Sequence, residues 1–480
     1  MHTDNVNLRP APDPELQTIA GYVSAPLAAR DEALDAARIC LMDALACAFQ
    51  ALADPLCTKL LGPVVPGTIV PHGARVPGTS FVLDPVKAAF DTSALVRWLD
   101  FSDTWWAGGH PSDNIGAVLA PCDYLSRTRI AQGKPPLLMR DVLIGLIKAY
   151  EIHGVLSSGN DMDAAQIGLC STLLVKIAST AVATGLFGGS TDEIVNALSN
   201  AFVDGHSLNI YRKDRHAGTR KCWAAGDAAS RGVQLALIAL RGEMGYPSAL
   251  SAKTWGFRDV LYKGRAFNLP RPFDTHVVEN IQFKISYPAQ RHTQTAAECA
   301  VRLHPQVRER LAGIEKVVLT THKKARDMVT ATGPLPTPAA RDHSLQYVVA
   351  IGLIHGNITT ESYEDAVAAD PMIDALRSRM VVQEDPLYTE GYYDLSRRSN
   401  ANAIEVFFKD GSRTPKVEVE YLLGDVRRRN EGLPLLERKF HTSLARVLAP
   451  KRQAAIAALL ADRQHLEATP VHEFMDMLIV

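Results

Sequence analysis

Residues 32–52 read EALDAARICLMDALACAFQAL, and this stretch sets the helical character of most of the chain. Its apolar residues recur at the spacing that lines them along one face of a helix. The residues of this stripe are Leu34, Leu41, Leu45, Ala48 and Leu52. The pattern returns in RDVLIGLIKAYEIHG (residues 140–154), and STDEIVNALSNAFVDG (residues 190–205) opens with a capping box of Ser190 and Glu193. Several long helices with short links predict a bundle-like domain up to about residue 270.

From about residue 275 the apolar pattern changes from the period of a helix to that of a strand. ENIQFKISYPA (residues 279–289) and IEKVVLTTH (residues 314–322) predict strands. NAIEVFFKDGSRTPKVEVEY (residues 402–421) predicts a hairpin that turns at Asp410-Gly411. A helical segment, DHSLQYVVAIGLIHG (residues 342–356), lies between these strands. The fold class is therefore predicted to be mainly α, with a smaller α+β domain inserted into a large helical one.

The predicted borders are 1–272 for the helical domain, 273–425 for the α+β domain and 426–480 for C-terminal helices that return to the helical domain. The chain has 480 residues, of which 47% are apolar and 21% charged, as in folded globular proteins. Its net charge of −1 and scattered cations exclude the basic face of a nucleic-acid or membrane-surface protein. No apolar run approaches the about 20 residues of a membrane span. The N-terminus does not resemble a signal or transit peptide, so a cytoplasmic location is expected.

The seven cysteines are odd in number and widely spread, and none forms a C-x-x-C pair. Zinc-ribbon and iron–sulfur signatures are therefore missing from the sequence. Buried, reduced thiols are the expectation for such cysteines. The sequence predicts neither a metal nor a cofactor.

RWLDFSDTWWAGGHPSDN (residues 97–114) crowds polar groups among tryptophans before an apolar helix. Ser112 or Asp113 is predicted to cap that helix. Asp100, Thr104 and His110 precede it, and a carboxylate among tryptophans would have the raised pKa that a general acid or base needs. A structural polar cluster remains the alternative, because perturbed carboxylates are only probabilistic markers of a site.

Two further segments supply cations. In DGHSLNIYRKDRHAGTRKCWAAGDAASRG (residues 204–232), the cations Arg212, Arg215, Arg220 and Lys221 come before a helix predicted to begin near Trp223. They predict either a solvated loop or a clamp for carboxylates or phosphates. In the second segment Lys284 is predicted to lie mid-strand, followed at a strand-to-helix turn by Tyr287, Arg291 and His292. Together the segments predict a cleft that the second domain closes.

At these segments the sequence resembles the MmgE/PrpD family, and in particular its dehydratase branch. The stretches that carry the resemblance are RWLDFSDTWWAGGHPSDN, GTRKCWAAGDAASR, GEMGYPSALSA, FKISYPAQRHTQTA, RDHSLQYVVAIGLIHG and DVRRRNEGLPLLERKF. The resemblance implies a helical domain with an α+β lid before the last helices, and a homodimer. It implies the loss of water from 2-methylcitrate to give 2-methyl-cis-aconitate in propionate breakdown, by acid–base catalysis without an iron–sulfur cluster. Some turnover of citrate or cis-aconitate is also expected, since one methyl discriminates by only about 1–3 kcal/mol.

The resemblance also assigns residues. The spacing of Asp100, Thr104 and His110 matches an Asp–Thr–His set in the decarboxylase branch, and Lys221 and Lys284 match two lysines there. The predicted catalytic residues are Asp100, Thr104, His110 and His292, and the predicted substrate-binding residues are Lys221, Lys284, Arg212, Arg220 and Tyr287.

Two features depart from the decarboxylase branch. DAAQIGLCST (residues 163–172) lacks its histidine, and Arg326 falls near the place of its lid tyrosine. A sibling decarboxylase or epimerase, or a helical binding protein without catalysis, remains the alternative. Which residue is base and which is acid stays open.

Overall fold

The structure is a computed structural model that describes residues 9–164, 166–203, 205–212 and 217–480. It is mainly helical, as the sequence predicted. The described helices are α1 Pro14–Ser24, α2 Asp31–Ala51, α3 Pro55–Thr58, α4 Pro85–Arg97, α5 Gly116–Ala131, α6 Met139–Gly159, α7 Thr172–Leu186, α8 Thr191–Val203, α9 Arg220–Ala239, α10 Phe257–Val260, α11 His276–Glu279, α12 Gln294–Val307, α13 Lys323–Val329, α14 Pro338–Arg341, α15 Leu345–His355, α16 Asp365–Ala368, α17 Pro371–Arg377, α18 Pro386–Tyr393, α19 Arg429–Ala445, α20 Pro450–Ala461, α21 Arg463–Ala468 and α22 Val471–Met477. The described strands are β1 Ala74–Arg75, β2 Val82–Leu83, β3 Ile314–Thr321, β4 Met380–Glu384, β5 Asn402–Phe408 and β6 Val417–Val419. No described helix is both long and apolar enough to cross a membrane.

The larger hydrophobic core is built by helices from both ends of the chain. Leu34, Leu41, Leu45 and Ala48 of the predicted stripe are buried in it, and so are apolar residues of α19 to α22. Leu52 follows α2 and packs against this core partly buried. Helices α4 and α9 approach closely because α9 has a glycine at their crossing. A Cβ atom on Gly226 would lie 2.4 Å from the carbonyl oxygen of Phe90. This approach places the start of α9 beside the end of α4.

A second hydrophobic core lies between residues 289 and 419. Its four-stranded sheet has the order β4-β3-β5-β6, and α12 and α15 pack in the same core. The predicted hairpin is confirmed: β5 pairs antiparallel with β6, with Ile404 opposite Val417, and Gly411 in the turn has φ +81°. Strand β4, which the sequence pattern did not predict, pairs parallel with β3.

Residues 279–289 do not form the predicted strand, so Lys284 does not lie mid-strand. The segment makes single bridges instead, from Gln282 to Thr104 and from Phe283 to Gly424. Each bridge meets a different loop, so no continuous ladder can form. The bridge from Gln282 to Thr104 nevertheless holds Lys284 next to the tryptophan-rich segment.

Candidate active site

Asp100 lies at the centre of a buried polar cluster. It follows α4 by three residues, and its backbone has a left-handed φ of +48°. Its carboxylate accepts hydrogen bonds from Arg97 and from Lys284 Nζ, the second at 2.7 Å. Lys221 Nζ lies 3.9 Å from its other oxygen. The strained φ is tolerated because these contacts fix the residue from three sides.

Charge, rather than burial, decides the ionisation of Asp100. Burial alone would raise the pKa of this carboxyl, but Arg97, Lys284 and Lys221 outweigh that effect and hold the pKa well below its usual range. Asp100 is therefore a permanent anion. The raised pKa predicted for Asp100 from its tryptophan neighbours is wrong, because Arg97, Lys284 and Lys221 surround the carboxylate.

His110 is a neutral ring with one free nitrogen. Burial lowers its pKa well below the usual value, and Arg97 and Lys284 lower it further. Its Nδ1 lies against the carbonyl oxygen of Asp103, so Nδ1 carries the proton and donates it there. Nε2 is left unprotonated, 3.5 Å from Asp100 Oδ1. The ring has the protonation state of a general base.

Thr104 shapes the loop that carries His110. Its hydroxyl donates to the carbonyl of Gly109 at 3.2 Å, and its backbone bridges to Gln282. Asp103 fixes the same loop by accepting hydrogen bonds from the hydroxyl of Tyr150 at 2.7 Å and from the amide of Ser112 at 3.2 Å. Thr104 therefore orients His110 indirectly, because it fixes the backbone of the loop that carries both residues.

Lys221 lies in the first turn of α9, which begins at Arg220 and not near Trp223 as predicted. Its ammonium group donates to both carboxylate oxygens of Asp342, at 2.9 and 2.7 Å. His343 Nδ1 is 3.1 Å from the same ammonium. Asp342 and His343 therefore belong to the cluster, although sequence reasoning did not select either as a site residue.

Lys284 is a buried cation of the cluster whose pKa is strongly lowered. Burial lowers its pKa to about 8, while Asp100 opposes the shift. The ammonium group donates to the carboxylate and to the carbonyl oxygen of Asp100, both at 2.7 Å. Lys284 is charged at neutral pH but close to losing its proton.

Two predicted substrate-binding arginines lie beside the cluster without joining it. Arg212 donates to the backbone carbonyl of Lys221 at 3.3 Å, and its Nε lies 3.2 Å from Cys170 Sγ. Arg220 stacks on the ring of Trp223 at 4.2 Å and is 41% exposed. Arg215 lies outside the described residues.

His292 and Tyr287 occupy different surroundings from Asp100. His292 Nδ1 donates to Asn400 Oδ1 at 3.3 Å, and its ring centroid lies 5.1 Å from that of His322. Tyr287 packs against the second hydrophobic core. Among the described contacts, neither side chain meets Asp100, so nothing in the geometry brings these two predicted residues to the cluster.

Two other sequence interpretations change with the structure. Asp113 does not cap α5, because it lies in a 3-10 turn with its Oδ1 3.8 Å from Arg97 Nε. Burial raises its pKa to about 6. Arg326, near the expected lid tyrosine, is 40% exposed and pairs with Glu384 at 2.8 Å. All seven cysteines are buried free thiols, as predicted.

One group in the described part of the chain has ligand atoms close enough for a metal ion. Ligand atoms of Asp100, Asp342 and His343 lie within 4.8 Å of one another. However, Lys284 and Lys221 already donate to the two carboxylates, and their positive charges would repel a divalent cation. The donor set fits an acid–base site better than a metal site.

Comparison with known proteins assigns the chain. The MmgE/PrpD N-terminal domain matches residues 17–270, and the MmgE/PrpD C-terminal domain matches residues 287–463. The chain belongs to the MmgE/PrpD family. It is 52% identical to a 2-methylcitrate dehydratase of Cupriavidus necator over 100% of both chains. It is 50% identical to one of Escherichia coli K12 over 99% of each chain. A mitochondrial 2-methylcitrate dehydratase of Yarrowia lipolytica is 44% identical over 98% of this chain and 91% of that one.

For this MmgE/PrpD protein, the missed residues left partial signals in the sequence. Arg97 opens the tryptophan-rich stretch, and Asp342 and His343 open a stretch that carried the family resemblance. Treating every polar residue of such stretches as a candidate would have found all three.

Proposed function

We propose that this protein is a 2-methylcitrate dehydratase, which removes water from 2-methylcitrate to give 2-methyl-cis-aconitate in propionate breakdown. The observation that carries the proposal is the single cluster that joins Asp100, His110, Lys221 and Lys284. The full-length relatives named 2-methylcitrate dehydratase support the same reaction. Those names do not favour the decarboxylase and epimerase alternatives.

The substrate explains the composition of the cluster. Its three carboxylates need cations as partners. Lys221 is paired with Asp342 and Lys284 with Asp100, and each lysine can exchange part of these contacts for contacts with substrate oxygens. A proton must leave a carbon next to a carboxylate, and His110 Nε2 is the unprotonated nitrogen that can accept it. Asp100, 3.5 Å away, would then stabilise the imidazolium that forms.

We propose that the reaction needs no metal or iron–sulfur cluster. Among the described residues, the one group with metal-ligand spacing contains no cysteine, and both of its carboxylates are paired with lysines. The test is ultraviolet absorbance of chelator-treated protein with synthetic 2-methylcitrate. We expect the conjugated alkene to form at an unchanged rate when no iron is added. A rate that is restored only by added iron would contradict the proposal.

We also propose that residues 273–425 form a lid over the helical part. The second hydrophobic core between residues 289 and 419 supports this, as does the placement of Asp342 and His343 just before α15 of that core. A homodimer and a cytoplasmic location stay predictions. Sedimentation velocity at several protein concentrations tests the dimer.

Replacing the proposed base tests the chemistry directly. We expect His110→Gln to lower kcat by about 10²–10⁴, the usual contribution of a general base, with a small effect on KM. Glutamine keeps a donor for the Asp103 carbonyl but cannot accept the proton. Initial rates at saturating 2-methylcitrate give the result, and a variant within threefold of the wild-type rate would exclude His110 as the base.

The pH dependence follows from Lys284. Since substrate capture needs its ammonium form, and its pKa is about 8, we expect kcat/KM to fall as the pH rises through about 8. The lowered pKa of His110 keeps kcat/KM level on the acid side down to well below pH 6.5. Lys284→Arg, whose charge does not titrate, should remove the alkaline fall. An identical alkaline fall in that variant would show that another group causes it.

A further inference from the structure

His343 lies between two carboxylates that come from different parts of the chain. Its Nδ1 is hydrogen-bonded to Asp342 Oδ1, and its Nε2 is 3.8 Å from Asp100 Oδ2. The side chain is 29% exposed, whereas those of Asp100 and Lys221 are each 2% exposed. His343 therefore stands at the solvent side of the cluster, where a small molecule would enter.

The two histidines that flank Asp100 differ in the number of carboxylates that they meet: His110 meets Asp100 alone, and His343 meets Asp100 and Asp342. His110 faces a backbone carbonyl on Nδ1, and Arg97 and Lys284 disfavour its charged form. His343 meets two carboxylates: its Nδ1 is hydrogen-bonded to Asp342, and its Nε2 lies 3.8 Å from Asp100 Oδ2. Lys221 Nζ also lies 3.1 Å from Nδ1. Such a difference between paired titratable groups separates the acid from the base in a site.

We propose that His343 is the catalytic acid that protonates the departing hydroxyl group, and that Asp342 is the positioning residue that holds its ring. The proposal rests on the proposed function and assigns the half of the reaction that His110 leaves unexplained. His110 Nε2 takes a proton from the carbon next to a carboxylate, and the C–H electron pair becomes the new carbon–carbon double bond. The C–O bond breaks with its electron pair on oxygen, which takes the Nε2 proton of His343 and leaves as water.

The charged groups that face His343 explain how it can be protonated in the complex. In the free protein, burial lowers its pKa and Lys221 lowers it further, while Asp342 and Asp100 raise it. A substrate with three carboxylates adds negative charge beside the ring and draws Lys221 toward itself. Both changes favour the imidazolium at the moment when an acid is needed.

A merely structural ion pair would predict a different arrangement. Asp342 is already satisfied by the two hydrogen bonds from Lys221, so His343 is not needed to neutralise it. The ring instead extends the Asp342 carboxylate toward Asp100, in the manner of a histidine oriented by a carboxylate in hydrolytic sites.

The experiment separates the acid from the base by changing the leaving group. His343→Gln, Asp342→Asn and His110→Gln are assayed with 2-methylcitrate and with the analogue in which fluorine replaces the hydroxyl. Fluoride leaves without a proton, so its release needs the base and not the acid. His355→Gln, at the exposed C-terminal end of α15, is the matched control. Circular dichroism of each variant confirms that it is folded.

We expect His343→Gln to lower kcat for 2-methylcitrate by about 10²–10⁴, with KM changed less than threefold. Its fluoride release should stay within threefold of the wild type, and Asp342→Asn should show the same pattern. His110→Gln should lose both reactions. A His343→Gln variant that loses both reactions, or keeps both, overturns the acid role. Wild-type protein that releases no water from 2-methylcitrate overturns the proposed function itself, and the acid role with it.

Discussion

Asp100→Asn is expected to lower kcat by at least about 10³, the largest effect of any single change in the cluster. The carboxylate is the one anion that Arg97, Lys284 and Lys221 share. Without its charge, the imidazolium of His110 loses its partner. Lys284 also loses the group that supports its protonated form, so its pKa should fall below about 8.

The distinguishing feature of this variant is the direction of KM. Asp100 competes with substrate carboxylates for the cations, so we expect KM to stay level or fall while kcat collapses, at a pH low enough to keep Lys284 protonated. A damaged or misfolded site would instead raise KM. Steady-state kinetics at pH 6 test this, with Asp192→Asn on the exposed first turn of α8 as the matched control. An Asp100→Asn variant that keeps a third of the wild-type kcat would contradict the central role of the carboxylate.

The sequence predicted those residues of the candidate site that lie close together in the chain. Asp100, Thr104 and His110 lie in one loop, so their spacing alone brings them together. Asp342 and His343 escaped selection because they meet Lys221 only through tertiary contacts between segments about 120 residues apart. The raised pKa expected for Asp100 failed for the same reason, since two of its three cations, Lys221 and Lys284, come from distant segments.

The failures of fold prediction also have physical causes. Residues 279–289 alternate like a strand, but their neighbours are two separate loops, and Pro288 has no amide hydrogen to donate to a ladder. Strand β4 alternates between half-buried and exposed residues on the sheet edge, so its pattern is weak. The hairpin of β5 and β6 was predictable because its turn residues and its alternation coincide.

Lys439 connects the C-terminal helices to both halves of the site. It lies on α19, is 8% exposed, and donates to Asp43 Oδ1 of α2 at 2.8 Å. The same ammonium donates to the carbonyl of Phe101 at 2.8 Å and to that of Lys284 at 3.0 Å. One buried cation thus ties together the segments that carry Asp100 and Lys284.

We expect Lys439→Met to lower the free energy of unfolding by about 3–5 kcal/mol, because it leaves Asp43 buried and unpaired. Urea unfolding followed by circular dichroism measures the loss, with Lys451→Met on the exposed face of α20 as the control. Adding Asp43→Asn removes the orphaned charge, so the double variant should recover more than half of the lost stability.

Activity should not return with stability in that double variant. The carbonyls of Phe101 and Lys284 still lack their shared donor, so the two segments are free to shift relative to each other. A displacement of about 1 Å at a reacting group can cost about 10²-fold in rate. We therefore expect kcat of the double variant to remain at least about tenfold below wild type. Full recovery of both quantities would show that Lys439 serves only to neutralise Asp43, and that the loops around Asp100 and Lys284 hold their positions without it.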